Sequence, residues 1–288
     1  MPRLVGLFLL LVTASFAADH ALRDQVTELF KHRQWAEAQA VVEKIIAAEP
    51  GNAEAFFYLG QVQINRGDHE HAVESLEKAT GLAPANSEYF RVLGDSYGIS
   101  AQKSGLFSKF GWAKKCKAAY DKAVELDPKN IAARMSVMEY CRQAPGFVGG
   151  GMEGAYAQAA EIKKLDSPRG RQAYATLYLA DKKYDQALAE FDEVLKATPD
   201  DYTSLYQVGR LAANSGQFLD RGLASLRRCL ELTPAEGEPG RAPTNWRIGN
   251  ILEKQGDKAG ARAAYEAALK ADPKFVMAIE ALKKLGQP

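Results

Sequence analysis

Cysteine and histidine are scarce in this chain, with three of the first and four of the second in 288 residues. Cys116, Cys141 and Cys229 follow no metal or redox spacing, and an odd count leaves at least one unpaired. They read best as small buried residues, although an exported setting would permit a disulfide. The histidines are His20, His32, His69 and His71. Only the last two are near neighbours, and residues two apart on a helix point in different directions, whereas helical metal ligands come three or four apart. No metal and no cofactor is therefore expected. Excess charge is missing as well: 37 Lys and Arg stand against 36 Asp and Glu. A nucleic-acid binder needs a basic face, so no nucleic-acid partner is expected. The sequence holds no GxSxG, HExxH, CxxC, phosphate-loop or dinucleotide fingerprint and no nucleophile beside a base, so it reads as a non-enzyme.

Long hydrophobic runs are absent too, except at the start. Arg3 precedes LVGLFLLLV over Leu4 to Val12, and the small residues Ser15 and Ala17 follow. The uncharged stretch from Leu4 to Ala18 is 15 residues, short of the roughly 20 that span a bilayer. A positive start, a short apolar core and a small-x-small exit predict a signal peptide over 1–17, cleaved after Ala17, and hence an exported, periplasmic or secreted protein. An uncleaved anchor is the alternative. No Cys stands at the exit to carry a lipid.

What is present is ordinary for a folded protein with a buried core, with 47% apolar and 25% charged residues. The distinctive feature is punctuation. Pro50, Pro84, Pro128, Pro168, Pro199, Pro234 and Pro273 recur at gaps of 34, 44, 40, 31, 35 and 39 residues. Between them a pattern repeats. Phe56, Leu59 and Gly60 are followed by Ala72, Leu76 and Ala79; Phe90, Leu93, Gly94 and Tyr97 by Cys116, Tyr120 and Ala123. Tyr174 and Tyr178 lead to Ala187 and Phe191, Leu205 and Gly209 to Gly222 and Leu226, and Ile248, Gly249 and Leu252 to Ala261, Tyr265 and Ala268. Spacings of three and four make one face of a helix. Gly60 and Gly94 are expected to let Ala72 and Cys116 bring paired helices close, Gly67, Gly216 and Gly256 to turn the chain between them, and each closing Pro to end the second helix.

This pattern resembles the tetratricopeptide repeat. The resemblance implies an all-α fold, a right-handed superhelical solenoid of about seven helical hairpins forming a single domain over 18–288. The repeats fall at about 19–52, 53–86, 87–130 with an insertion at 101–115, 131–167, 168–201, 202–236 and 242–275, and a capping helix at 276–285 closes the array. It also implies a groove lined by the first helix of each hairpin. Counting inward-facing positions gives Phe57 and Gln61, Arg91 and Asp95, Tyr206 and Arg210, and Trp246 and Asn250, with Met135, Glu139, Gln172 and Thr176 between. The aromatics and Arg210 are the expected binding anchors, with burial against adjacent hairpins as the alternative. The Lys, Asn and Arg set with which family members hold a chaperone's terminal carboxylate is missing.

Three departures from the period carry further expectations. The insertion holds Lys103, Lys109, Lys114 and Lys115 interleaved with Phe107, Phe110 and Trp112, and no acidic residue occurs from Ser96 through Tyr120. Such a patch suits an anionic membrane surface or an acidic partner; the alternative is an extended hairpin whose aromatics pack inward. Gly105 and Gly111 are expected to break any single long helix. The run from Ala144 to Gly151 lacks the lysine of a phosphate loop and reads as a conformational loop between helices. Glu236 to Arg241 reads as a polar linker. The insertion and the glycine run are similar to stretches of bacterial envelope tetratricopeptide proteins, which implies a bacterial origin but no function. The chain thus reads as an exported scaffold binding a peptide or protein in its groove. An envelope structural protein touching the membrane through 103–117 is the first alternative, and a small-ligand carrier or an enzyme with a site invisible in sequence the second.

Overall fold

The computed structural model describes residues 24–286; the predicted signal segment lies outside them. The described residues form fifteen α-helices, one 3-10 turn and no strand. Contacts divide the chain into two compact units between Gln158 and Ala159. The first holds α1 (24–31), α2 (Trp35–Ala48), α3 (Ala53–Arg66), α4 (His69–Leu82), α5 (Ser87–Lys103), α6 (Leu106–Leu126) and α7 (Ile131–Gln143). The division falls within α8 (Met152–Leu165). The second unit holds α9 (Ser167–Ala180), α10 (Tyr184–Ala197), α11 (Tyr202–Ser215), α12 (Leu219–Glu231), α13 (Arg241–Lys254), α14 (Lys258–Ala271) and α15 (Val276–Leu285). No helix among the described residues is long and apolar enough to cross a membrane.

The pair α3 and α4 shows why the sequence folds this way. Asn52 caps α3, its side chain accepting the Ala55 N–H at 3.0 Å, which satisfies one of the donors a helix start leaves open. Arg66 lies in the last turn, where the helix dipole favours a cation. Gly67 then takes φ +82°, a left-handed conformation that a side chain disfavours, and the chain reverses into α4. Gly216 and Gly256 repeat the device at φ +77° and +85°. At the far end of α4 the residue before Pro84 is driven out of the helical region, Ala83 having φ −129° and ψ 71°. Glu49, Asp127, Thr198 and Asp272 do the same before their prolines. Pro168 differs. It sits in the first turn of α9, where its missing N–H has no helical partner to lose, so it opens a helix rather than closing one.

The Ala72 backbone does come close to Gly60, 3.3 Å from where a Cβ would stand, but the larger residue one turn further on comes closer still. A Cβ on Gly94 would lie 2.4 Å from the Tyr120 ring, and one on Gly60 would lie 2.5 Å from Leu76. The glycine therefore makes room for the large residue one turn beyond Cys116 or Ala72. Tyr265 over Gly249 and Leu226 over Gly209 repeat the arrangement. Leu76, Leu226 and Tyr265 are fully buried, each contributing about 2 kcal/mol of transfer free energy.

The insertion changes the helices rather than adding a loop. α5 has 17 residues and α6 has 21, against 14 in α3 and α4, which accounts for the ten extra residues. Gly105 marks the expected break, just before α6. Gly111 does not: α6 runs through it, with open space where a side chain would stand, and one interior glycine costs only about 1 kcal/mol. The glycine run is a conformational loop, a 3-10 turn over Gly146–Val148. The Gly151 N–H donates to the Cys141 carbonyl at 2.7 Å, and the Tyr140 hydroxyl lies 2.9 and 2.8 Å from the carbonyls of Ala113 and Val148. The polar linker at 236–241 is more than a connection. Thr203 donates to Glu238 at 2.6 Å, the Ala235 N–H donates to the same carboxylate at 2.8 Å, and the Tyr202 hydroxyl donates to the Pro239 carbonyl. These bonds strap it onto α11. Cys116, Cys141 and Cys229 are buried free thiols.

Candidate functional site

In the first unit the predicted groove positions are largely used by the fold itself. Phe57 is buried, its ring stacked on Tyr89 with centroids 4.4 Å apart. Arg91 reaches both Glu88, at 2.8 Å, and Asp95, at 2.7 Å, and these carboxylates hold its pKa above the ordinary arginine value, with the Glu88 hydrogen bond the largest cause. Asp95 accepts the Tyr120 hydroxyl at 2.7 Å. Burial pushes the Asp95 pKa up while Tyr120 and Arg91 oppose the shift. The Arg91 charge is thus neutralised within its own helix. Gln61 is half-buried on α3. On α7, Glu139 is held by Arg142 at 2.8 Å, while Met135 is exposed.

The second unit is different. Tyr206 is buried, which removes it as a direct anchor, and its hydroxyl accepts from Arg247 Nε at 2.8 Å. Arg247 also stands over the Tyr206 ring at 5.4 Å and the Trp246 ring at 5.1 Å, distances at which a cation is attracted to an aromatic face. Its Nη1 faces the Asn214 side-chain oxygen at 3.4 Å. Arg210, one turn along α11 from Tyr206, is half-buried. Burial and then the nearby Arg247 cation lower its pKa. Neither arginine forms an ion pair with a carboxylate among the described residues. Trp246 packs edge-on against Phe275, centroids 6.3 Å apart, and Asn250 accepts the Tyr265 hydroxyl at 2.9 Å.

The structure therefore brings Tyr206, Arg210 and Trp246 together, and it does so through Arg247, a residue that counting two positions per helix passes over. The result is two half-buried guanidinium groups, Arg247 against the Tyr206 and Trp246 rings and Arg210 near it, with no acid among the described residues to neutralise them. Placing like charges together in partial burial is unfavourable without a counter-charge. Chemically the arrangement can seat a carboxylate or another small anion, since Arg offers a planar fork of donors.

The insertion residues divide into two groups. Trp112 and Lys115 lie against α5: Trp112 is 5.7 Å from the Tyr97 ring, and Lys115, though exposed, sits over both rings at 4.9 and 5.2 Å, with Glu77 3.8 Å away. Lys103, Lys109, Lys114 and Phe107 are exposed, and Phe110 is half-buried. On α4, His71 pairs with Asp68 at 2.9 Å, and no cluster of His, Cys, Asp and Glu fit to hold a metal occurs among the described residues.

Sequence models of the tetratricopeptide repeat match residues 23–87, 99–130, 173–237 and 242–275, together more than half of the chain. Among solved structures, a tetratricopeptide repeat protein from Parabacteroides merdae aligns with TM-score 0.63 and 17% identity, covering 94% of this chain and all of that one. The C-terminal part of a repeat-containing protein from Cytophaga hutchinsonii gives 0.55 and 19%, over 90% of this chain and 98% of that one. PilF of Pseudomonas aeruginosa gives 0.54 and 16%, over 81% and 97%. At these identities the likeness concerns the fold alone. No curated protein matches the sequence.

Proposed function

Because the chain belongs to the tetratricopeptide-repeat family, whose members are protein-interaction scaffolds built on extended binding faces, we propose that it is an exported, non-catalytic scaffold. It holds a protein partner on the face formed by α11 and α13, with Arg210 and Arg247 seating an acidic side chain of that partner. The observation that carries this reading is the pair of half-buried guanidinium groups without a carboxylate. Arginine beside aromatic rings is also the composition of a binding hot spot. The export component rests on the apolar segment over 1–17 and places the partner in the periplasm or outside the cell.

The test is fluorescence anisotropy with an array of labelled peptides that differ only in acidic, amide and neutral residues. Acidic peptides bind preferentially and more weakly as salt rises. Arg210→Gln and Arg247→Gln each lower affinity about tenfold, the loss of one charge-assisted contact worth about 1.4 kcal/mol. Equal binding of acidic and amide peptides, or no loss in the double variant, removes the assignment of this site. Export is tested separately, by cell fractionation and by the mature N-terminus, which is expected at Ala18.

A further inference from the structure

The end of the α5–α6 hairpin carries a second, unrelated surface. The insertion makes α6 seven residues longer than α4, which is about 10 Å of helix. Phe107 stands in the first turn of α6 and is 98% exposed. Phe110 contacts Phe147 edge-on at 4.9 Å, and Phe147, from the separate turn between α7 and α8, is itself 67% exposed. Two segments distant in sequence thus place aromatic rings side by side at the surface. Phe107, Phe110 and Lys114 follow the spacing of one helical face. Lys103, Lys109 and Lys114 are exposed with no acidic partner among the described residues, and the sequence offers no carboxylate from Ser96 through Tyr120. In the same stretch the cations that serve the fold are paired, Lys115 beside Glu77 and Lys117 on Asp121.

We propose that this hairpin end docks reversibly on an anionic lipid bilayer, with Phe107 and Phe147 entering the boundary between headgroups and acyl chains and Lys103, Lys109 and Lys114 engaging headgroup phosphates. Charge complementarity selects an anionic surface. The protruding ring selects lipid over an acidic protein, because a convex aromatic finds no pocket on a flat acidic surface but partitions into a fluid interface while lysine stems reach back to the headgroups. Two rings and three lysines give reversible association rather than an anchor, since stable attachment needs more buried apolar surface. Nothing here depends on Arg210 or Arg247.

The experiment is flotation of the full chain with phosphatidylcholine vesicles, with and without phosphatidylglycerol. The expected result is about tenfold more bound protein on the anionic vesicles at low salt. That preference is lost in Lys103→Glu/Lys109→Glu and falls several-fold in Phe107→Ser/Phe147→Ser. These positions are exposed, so circular dichroism is expected to be unchanged. The apolar N-terminal run is the same in every protein compared, so only differences between variants count. In Phe107→Trp, the added emission shifts to the blue on anionic vesicles and is quenched by brominated lipid. Equal binding to both vesicles, an unchanged Phe107→Ser/Phe147→Ser double variant, or a Phe107→Trp emission that does not move overturns the proposal. Capture by polyglutamate beads that is indifferent to the phenylalanine changes also overturns it and reassigns the patch to an acidic protein.

Discussion

The hairpins α5/α6 and α11/α12 place a charged residue just after the glycine on which their second helix packs, and the two charges meet opposite fates. In α5/α6 the ring over Gly94 is Tyr120, whose hydroxyl binds Asp95, and Asp95 in turn holds Arg91. In α11/α12 the residue over Gly209 is Leu226, which has no polar atom to offer Arg210. The pair α13/α14 follows the first arrangement, with Tyr265 over Gly249 binding Asn250. One position on the second helix thus decides whether a polar group on the first finds a partner inside the hairpin or not.

Substitutions at these positions separate the two hairpins experimentally. The largest effect is expected at the shared glycines: Gly94→Val or Gly209→Val drives side chain into Tyr120 or Leu226 and costs about 3 kcal/mol, read as a lowered urea midpoint. Asp95→Ala comes next. It leaves the Tyr120 hydroxyl without its acceptor and Arg91 with Glu88 alone, a loss of about 2 kcal/mol. Tyr120→Phe removes only the hydroxyl and should cost about 1 kcal/mol by thermal melting. Smallest is Arg210→Met, expected within about 0.5 kcal/mol of the parent or slightly more stable, since it relieves repulsion from Arg247 and breaks no ion pair. If Arg210→Met destabilises as much as Asp95→Ala, the arginine has an internal role and the contrast fails.

The helical repeat was legible because it is written many times over in small devices, each local. Turn glycines such as Gly67 and prolines such as Pro84 act on their own stretch of backbone, so their effects can be read without knowing what packs where. The sites were less legible because they depend on neighbours. Phe57 and Tyr206 stand at the same repeat position and are both buried, and only the structure shows that Tyr89 and Arg247 cover them. Arg247 itself was missed because it lies one residue off the counted position. Gly111 misled for an energetic reason: a lone glycine weakens a helix without stopping it when the flanking residues pack, as Trp112 and Cys116 do. The contact between Phe110 and Phe147 joins segments that no local pattern connects.

The buried thiols have a practical consequence. Burial pushes Cys116 and Cys229 up to about 12 and raises Cys141 as well, and only the thiolate attacks an alkylating reagent. Each is therefore inert until its surroundings come apart. Cys116 and Cys141 belong to the first unit and Cys229 to the second. Alkylation followed peptide by peptide would then time the opening of each unit separately, so the chain carries its own pair of clocks for asking whether the two halves unfold together or apart.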